Sequence, residues 1–169
     1  VCIAIGAIFA SLIATNNLSN NNIQVTGSAY EIVKSDSANW TFTITAKAPT
    51  RLQAYKTVQG QIPEVKKYLT SNGIQENQIE LLLSNSYETY KTNPNTGYAT
   101  NKVDNYVYQQ PIKVSTTDVE KVKELSTAYQ VLFEKGINIA SSGEPQYHYS
   151  KLADLKVSLL EKATKDAKN

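Results

Sequence analysis

The spacing of apolar residues changes abruptly at Pro49. From Trp40 to Ala48, apolar residues alternate with polar ones, which predicts a strand with one buried face. After Thr50 they recur every three or four positions as far as Leu69, which predicts an amphipathic helix that is capped by Thr50 and stopped by Asn72-Gly73. A strand and a helix so close in the chain bury their apolar faces against each other. This arrangement favours a fold that combines sheet and helix.

Four further stretches carry strand signals. Residues 23–29 alternate in the same way as residues 40–48, and the turn-like KSDS between them predicts a hairpin. A second hairpin is predicted from residues 79–87 and 106–114, joined by the long turn NPNTGYATN. Pro111 places the later of these strands at an edge or a bulge, because proline has no backbone donor. A fifth strand begins at INI, is interrupted at SSGEP and resumes at QYHYS.

Two more helices complete the pattern. A capping box, TDVE at 117–120, starts a helix that Gly136 closes, and the last helix has an apolar stripe over 152–167. Pro63 is expected to kink the first helix. The order ββαββαβα favours antiparallel pairing, with the helices covering one face of the sheet. The predicted fold class is therefore α+β, a two-layer sandwich of a mainly antiparallel sheet with helices on one face, plus an N-terminal apolar helix.

The N-terminus differs from the predicted domain, which spans residues 23–169. Residues 1–15 are apolar, and residues 16–22 form an asparagine-rich linker. Fourteen helical residues span only about 21 Å, but the absence of an initial methionine predicts upstream residues that would complete a signal anchor. We expect an uncleaved anchor, with a cleaved signal peptide and a buried apolar arm as alternatives. The side chains expected to enter the membrane or an assembly contact are Ile3, Ile5, Ile8, Phe9, Leu12 and Ile13.

The charge distribution predicts location and limits the partners. No Lys or Arg precedes Lys34, so the positive-inside rule sends the domain outside the cytoplasm, to the periplasm or cell surface, with membrane association. The net charge of +2 comes from dispersed lysines and acids with one arginine, Arg51, so nucleic acid is not an expected partner. Cys2 is the single cysteine, and no metal-ligand spacing occurs, so no metal or cofactor is expected. The apolar stripe still running near Asn169 predicts that the natural chain continues.

The only histidine, His148, lies in the QYHYS strand. Alternation places it on the face opposite Tyr147 and Tyr149. It lacks the local nucleophile or orienting carboxylate that a catalytic histidine needs, so we predict a structural or surface role and no enzymatic activity. Ser150 is expected to cap the last helix, and Asp154 to lie favourably at its positive end.

Five of the eleven tyrosines cluster along the second predicted hairpin. They can form a binding platform for a glycan, a peptide or a neighbouring subunit. The alternative is cross-strand pairing within the sheet. Tyrosines on both faces of an extended hairpin cannot all be buried, so both interpretations stay open. The candidate interface residues are Tyr87, Tyr90, Tyr98, Tyr106 and Tyr108.

Four landmarks follow one another along residues 23–169. VTG lies on the first strand, APT precedes the first helix, DVEKV begins the second, and YHYSKLADLK leads into ATKDA. Together they resemble the SIMPL-domain family, bacterial periplasmic or cell-surface proteins of the outer-membrane immunogenic protein type. The resemblance covers nearly the whole predicted domain.

The resemblance implies an extracytoplasmic α+β domain without established enzymatic activity. It also implies links to envelope stress in some members and ring-, channel- or tube-like homo-oligomers in others. The family has no catalytic residues to carry over. The positions that match its recurring pattern are interpreted as fold-defining: Val25, Thr26, Gly27, Tyr147, Tyr149, Lys151, Leu152 and Asp154.

Two functional hypotheses follow. The first is a non-enzymatic envelope protein that self-assembles into a homo-oligomer, with the apolar segment as a membrane anchor or a subunit contact. The second is a monomeric, stress-related periplasmic module that recognises a partner protein through the hairpin between Tyr87 and Tyr108. The apolar arm on its asparagine-rich linker motivates the first hypothesis, and the exposed tyrosines motivate the second.

Overall fold

A computed structural model describes residues 3–12 and 25–168 of the 169-residue chain. The strands are β1 (Ile3–Leu12), β2 (Val25–Lys34), β3 (Ser37–Ala48), β4 (Ile79–Leu81), β5 (Asn85–Thr92), β6 (Ala99–Thr116), β7 (Ile139–Ser142) and β8 (Gln146–His148). The helices are α1 (Arg51–Ser71), α2 (Val119–Ala128), α3 (Val131–Glu134) and α4 (Leu152–Asp166). The chain divides into two compact units, a smaller one of Val1–Ser37 with Tyr147–Asn169 and a larger one of Ala38–Gln146.

The larger unit is built on an antiparallel sheet. Its strand order is β4-β6-β3-β7, and β5 also pairs with β6. Alternate residues of β3 are buried, among them Trp40 and Phe42, while the threonines between them are half-buried. Helices α1 and α2 pack against β6. The predicted α+β class with an antiparallel sheet is confirmed.

Helix α1 begins and ends as the sequence predicts. Thr50 Oγ1 accepts a hydrogen bond from the backbone nitrogen of Gln53 at 3.2 Å, which caps the first turn. After Ser71 the chain leaves the helix through Gly73, whose φ of 91° lies in the left-handed region that favours glycine. Pro63 lies inside α1, and helical structure continues on both sides of it.

The second predicted helix is two helices, α2 and α3. Asp118, and not Thr117, caps α2, because its carboxylate accepts from the backbone nitrogen of Lys121 at 3.0 Å. Helix α2 ends at Ala128, and α3 ends at Glu134, two residues before the predicted glycine, Gly136, whose φ is 72°.

The smaller unit differs most from the prediction. Ile3–Leu12 is a strand paired antiparallel with β2, where the sequence predicted an apolar helix; residues 1–2 and 13–15 of that segment lie outside the described residues. Isoleucine and phenylalanine favour strands, and the ladder pairs the backbone groups of an apolar segment. The predicted hairpin of 23–29 with 40–48 is also corrected, since β2 pairs with β1. Helix α4 packs against both strands of this ribbon.

Pro111 lies in β6, which is paired on both sides, so of the two predicted alternatives, an edge strand or a bulge, the edge strand is wrong. The backbone nitrogen of Leu82 donates to Pro111 O at 3.0 Å, but proline has no N–H to return that bond to Leu82 O. The side chain of Gln110 supplies the missing donor, with its Nε2 2.6 Å from Leu82 O. The single strand predicted over 79–87 is therefore split into β4 and β5, and Leu83 between them is 93% exposed.

Candidate functional site

The predicted tyrosine interface lies on the hairpin of β5 and β6. The two strands pair antiparallel, with register shifts on either side of Tyr90. At the tip, the backbone nitrogen of Asn93 donates to Tyr98 O at 2.8 Å, and Gly97 takes a φ of 72°. The tyrosines therefore lie on a hairpin whose backbone is held by hydrogen bonds.

Four side chains form a contact network beside the start of α1. Arg51 Nη2 lies 3.2 Å from Glu88 Oε1, and its Cζ lies 5.3 Å from the ring centroid of Tyr106. Tyr90 donates its hydroxyl to Glu88 Oε2 at 3.1 Å. This hydrogen bond, and then the carboxylate charge, raise the pKa of the Tyr90 hydroxyl. The sequence did not predict that Arg51 and Glu88 contact these tyrosines, because the two residues lie 37 positions apart.

The structure does not gather the five predicted tyrosines into one platform. Tyr108 packs edge-on against Tyr55 of α1, with ring centroids 5.4 Å apart, so it belongs to the helix side of the sheet together with Tyr106. Tyr87 is 44% exposed and pairs with Val107, which places it on the opposite face. Tyr98 is 78% exposed at the tip. The hairpin thus presents separate tyrosines, two of which are held by helix α1.

The second predicted surface lies on the β1–β2 ribbon. Five of its predicted side chains, Ile3, Ile5, Ile8, Phe9 and Leu12, belong to residues of β1, whereas Ile13 lies outside the described residues. The register places Ala7 opposite Tyr30 and Ile5 opposite Ile32. On β2, Tyr30 is 76% and Ile32 61% exposed. These two apolar side chains lie one strand repeat apart on the same face.

Helix α4 covers the other face of β2. A Cβ placed on Gly27 would lie 1.9 Å from the carbonyl oxygen of Ala163, so strand and helix backbones meet there. Lys162 Nζ binds Glu31 Oε2 at 2.7 Å further along the same contact. One face of β2 is therefore packed, and Tyr30 and Ile32 on its other face are exposed to solvent.

Two of the positions that match the recurring pattern of the family lie on β2 and α4. Gly27 lies at the closest approach of β2 and α4, and Asp154 lies in the first turn of α4, as predicted. The model of the SIMPL family, described as a protein of unknown function (DUF541), matches residues 23–169. The chain belongs to the SIMPL family. A search among curated proteins found no match.

In this SIMPL protein the chain preceding α4 is tied to the end of β2. The Asp36 carboxylate accepts from the backbone nitrogen of Ser150 at 2.9 Å and from its hydroxyl at 2.5 Å, and the Asp36 nitrogen donates to His148 O at 2.9 Å. The predicted cap by Ser150 is wrong, because Lys151 occupies the N-cap position. Asp36 and Ser150 lie 114 positions apart in the sequence, so no local pattern indicates that the Asp36 carboxylate accepts a hydrogen bond from the Ser150 hydroxyl.

His148, the only histidine of the sequence, ends strand β8. His148 is exposed between two half-buried tyrosines, which confirms the predicted alternation. The hydroxyl of Ser150, two residues further along the chain, donates its hydrogen bond to Asp36. Among the described residues, no group of three His, Cys, Asp or Glu side chains can hold a metal ion. In the same part of the chain, no helix is both long and apolar enough to cross a membrane.

The Asp36 contact predicts a pH-dependent stability. The hydroxyl and then the backbone nitrogen of Ser150 lower the pKa of Asp36 below its ordinary 3.8. The folded carboxyl binds a proton less readily than the unfolded one. The contact therefore stabilises the fold fully above the ordinary pKa of 3.8, and this stability is lost as the pH falls through the lower pKa of the folded state. Asp36→Ala is therefore expected to lower the urea midpoint at neutral pH and to have a much smaller effect at about pH 2.

Glu134→Ala is the matched control, because Glu134 is exposed and its side chain makes no hydrogen bond or ion pair with a described residue. It is expected to shift the midpoint little at either pH. An equal effect of Asp36→Ala at both pH values would show that the carboxylate charge is not the cause.

Proposed function

We propose that this SIMPL protein is a non-enzymatic envelope protein outside the cytoplasm, of the outer-membrane immunogenic protein type, that self-assembles into a ring-, channel- or tube-like homo-oligomer. The observation that carries the proposal is the open face of the ribbon, where Tyr30 and Ile32 are 76% and 61% exposed. Adjacent exposed apolar side chains on one face are typical of interaction sites. Self-association would remove them from water.

The sequence of β1 supports a second copy as the partner. Its ten residues, IAIGAIFASL, contain no charge and no proline. Natural sheets protect their edge strands with such residues, so an edge without them favours pairing with another chain. Because β1 carries no charge, a second copy of the chain that pairs along it meets no charge repulsion.

The chain order supports the location. The apolar N-terminal segment is followed by no Lys or Arg before Lys34, which favours translocation of the domain and association with the membrane. The non-enzymatic assignment is supported by the Ser150 hydroxyl, which donates to a carboxylate and is therefore not poised against a histidine base.

The test is fractionation of cells followed by the native mass of the chain in mild detergent. The full chain is expected in the envelope fraction as a large discrete multimer. A version that starts at Asn22, and a Tyr30→Ser/Ile32→Ser variant, are each expected to give smaller species. Tyr98→Ser removes an equally exposed aromatic ring elsewhere and is expected to leave the mass unchanged.

Three outcomes would contradict parts of the proposal. Recovery in the cytosol contradicts the location, and a monomeric full chain contradicts assembly. If Tyr98→Ser dissociates the multimer while the ribbon variant does not, the contact belongs to the hairpin. A monomer would leave the second hypothesis, in which Tyr87 and Tyr98 contact a different protein.

A further inference from the structure

A polar groove lies on the sheet of the larger unit. It encloses about 210 Å³ and is lined by Asn39, Thr41, Lys113, Gly143, Glu144 and Gln146. Asn39 and Thr41 belong to β3 and alternate there with the buried Trp40 and Phe42, so the groove lies on the face of the sheet opposite the core. At roughly 30 Å³ per water molecule, it has room for about seven water-sized groups. This is smaller than the ~300–1,000 Å³ of sites for drug-sized ligands.

Backbone hydrogen bonds fix the strands β3 and β6 and the segment after β7, which together line the groove. Thr41 and Lys113 are direct partners in the β3–β6 register, so their side chains share one face of the sheet. The backbone nitrogen of Gly143 donates to Thr41 O at 3.0 Å, which holds the segment that carries Glu144 against β3. A Cβ on Gly143 would lie 3.3 Å from the same oxygen, so the approach is close.

Two opposite charges line this groove without pairing. The side chains of Lys113 and Glu144 make no nitrogen–oxygen contact within 4.0 Å of each other, and neither side chain has a hydrogen bond or ion pair with the described part of the chain. Elsewhere in the larger unit, Lys47, Lys66 and Lys121 each bind a carboxylate within 3.4 Å.

One further carboxylate lies near the lysine. Glu80 is the direct partner of Lys113 on β4, but it forms no ion pair with it. The ammonium group of Lys113 therefore stays available to a ligand, with Glu144 on the same groove.

We propose that this groove binds a small zwitterion with the chemistry of a free α-amino acid. Its carboxylate would accept hydrogen bonds from Lys113 and Thr41, and its ammonium group would donate to Glu144. Charge-assisted hydrogen bonds of this kind are stronger than neutral ones. Because the groove is open to water, we expect a weak dissociation constant, about 1 mM. The inference is independent of self-association.

The test uses L-serine, which has seven non-hydrogen atoms, as the probe. Titration into the isotope-labelled full chain is expected to shift the amide resonances of Thr41, Lys113 and Gly143 in a saturable way. Ethanolamine lacks only the carboxylate of serine, and 3-hydroxypropanoate lacks only the ammonium group. Each is expected to bind at least about tenfold more weakly, because one charge of the groove loses its partner.

Variants of the two charges give the second arm of the test. Lys113→Met and Glu144→Gln are each expected to weaken serine binding at least about tenfold. The matched controls are Lys102→Met and Glu134→Gln, exposed residues outside the groove, and they are expected to leave binding unchanged.

Several results would overturn the proposal. Equal binding of serine and 3-hydroxypropanoate would show an anion site at Lys113 and no zwitterion selectivity. Shifts that do not saturate, or controls that weaken binding as much as the groove variants, would show non-specific association.

Discussion

Replacing Gly27 with alanine is expected to lower the free energy of unfolding by at least about 2 kcal/mol and to loosen α4 from β2. The added Cβ would lie 1.9 Å from Ala163 O and 2.7 Å from the backbone nitrogen of Ala167. Both obstacles are helix backbone, which cannot rotate aside as the end of a side chain can. The helix must therefore move, and the buried contacts of Leu159 and Ala163 move with it.

Gly60→Ala is the matched control for this substitution. Gly60 lies inside α1, and a Cβ there would meet no heavy atom within 4 Å. Alanine is expected to stabilise that helix by about 0.5–1 kcal/mol, so the two glycine substitutions are expected to have opposite signs. Urea unfolding measures both changes, and amide hydrogen exchange in α4 shows whether the helix is loosened. Unchanged stability and unchanged exchange in Gly27→Ala would contradict the close contact.

The local elements of this fold could be predicted because their signals are local. The alternation over β3 and the three-four spacing over α1 each depend on neighbours within a few residues. Thr50 and Gly73 predicted the two ends of α1 for the same reason, since a helix cap depends only on the adjacent turn. The α+β class follows from such elements.

Strand partners could not be predicted in this way. Alternation shows that residues near Val25 form a strand, but it contains no information on whether the partner precedes or follows. The turn-like KSDS favoured β3, whereas β2 pairs with β1, whose apolar run also fits a membrane helix. Short apolar runs are ambiguous between helix and strand, because period cannot be read when every residue is apolar.

The candidate sites were predicted even less completely. The sequence indicated the tyrosines of the hairpin, but their partners come from distant positions, as Arg51 meets Tyr106 and Tyr55 meets Tyr108. The groove of Lys113 and Glu144 has no sequence signal, because it needs the register of β3 with β6 and the bond of Gly143 to β3. Such sites depend on tertiary structure.

Replacing Gln110 with leucine is expected to lower the free energy of unfolding by about 1–3 kcal/mol. Gln110 is only 5% exposed, and its Nε2 donates to Leu82 O at 2.6 Å and to Pro111 O at 3.1 Å. Leucine is similar in size but has no donor, so the Leu82 carbonyl loses the partner that Pro111 cannot supply. A carbonyl left unpaired in a part-buried ladder costs more than the hydrogen bond contributed.

A double substitution distinguishes this cause from a general packing effect. Alanine at position 111 restores a backbone N–H opposite Leu82 O, so Pro111→Ala is expected to recover part of the stability lost in Gln110→Leu. Pro111→Ala alone costs about 0.4–1 kcal/mol through the freer unfolded chain, so the double variant should be more stable than the sum of the singles predicts, by at least about 0.5 kcal/mol. Urea unfolding of the four proteins measures this coupling. Strict additivity would mean that Gln110 does not replace the donor that proline lacks, and that the break between β4 and β5 has another origin.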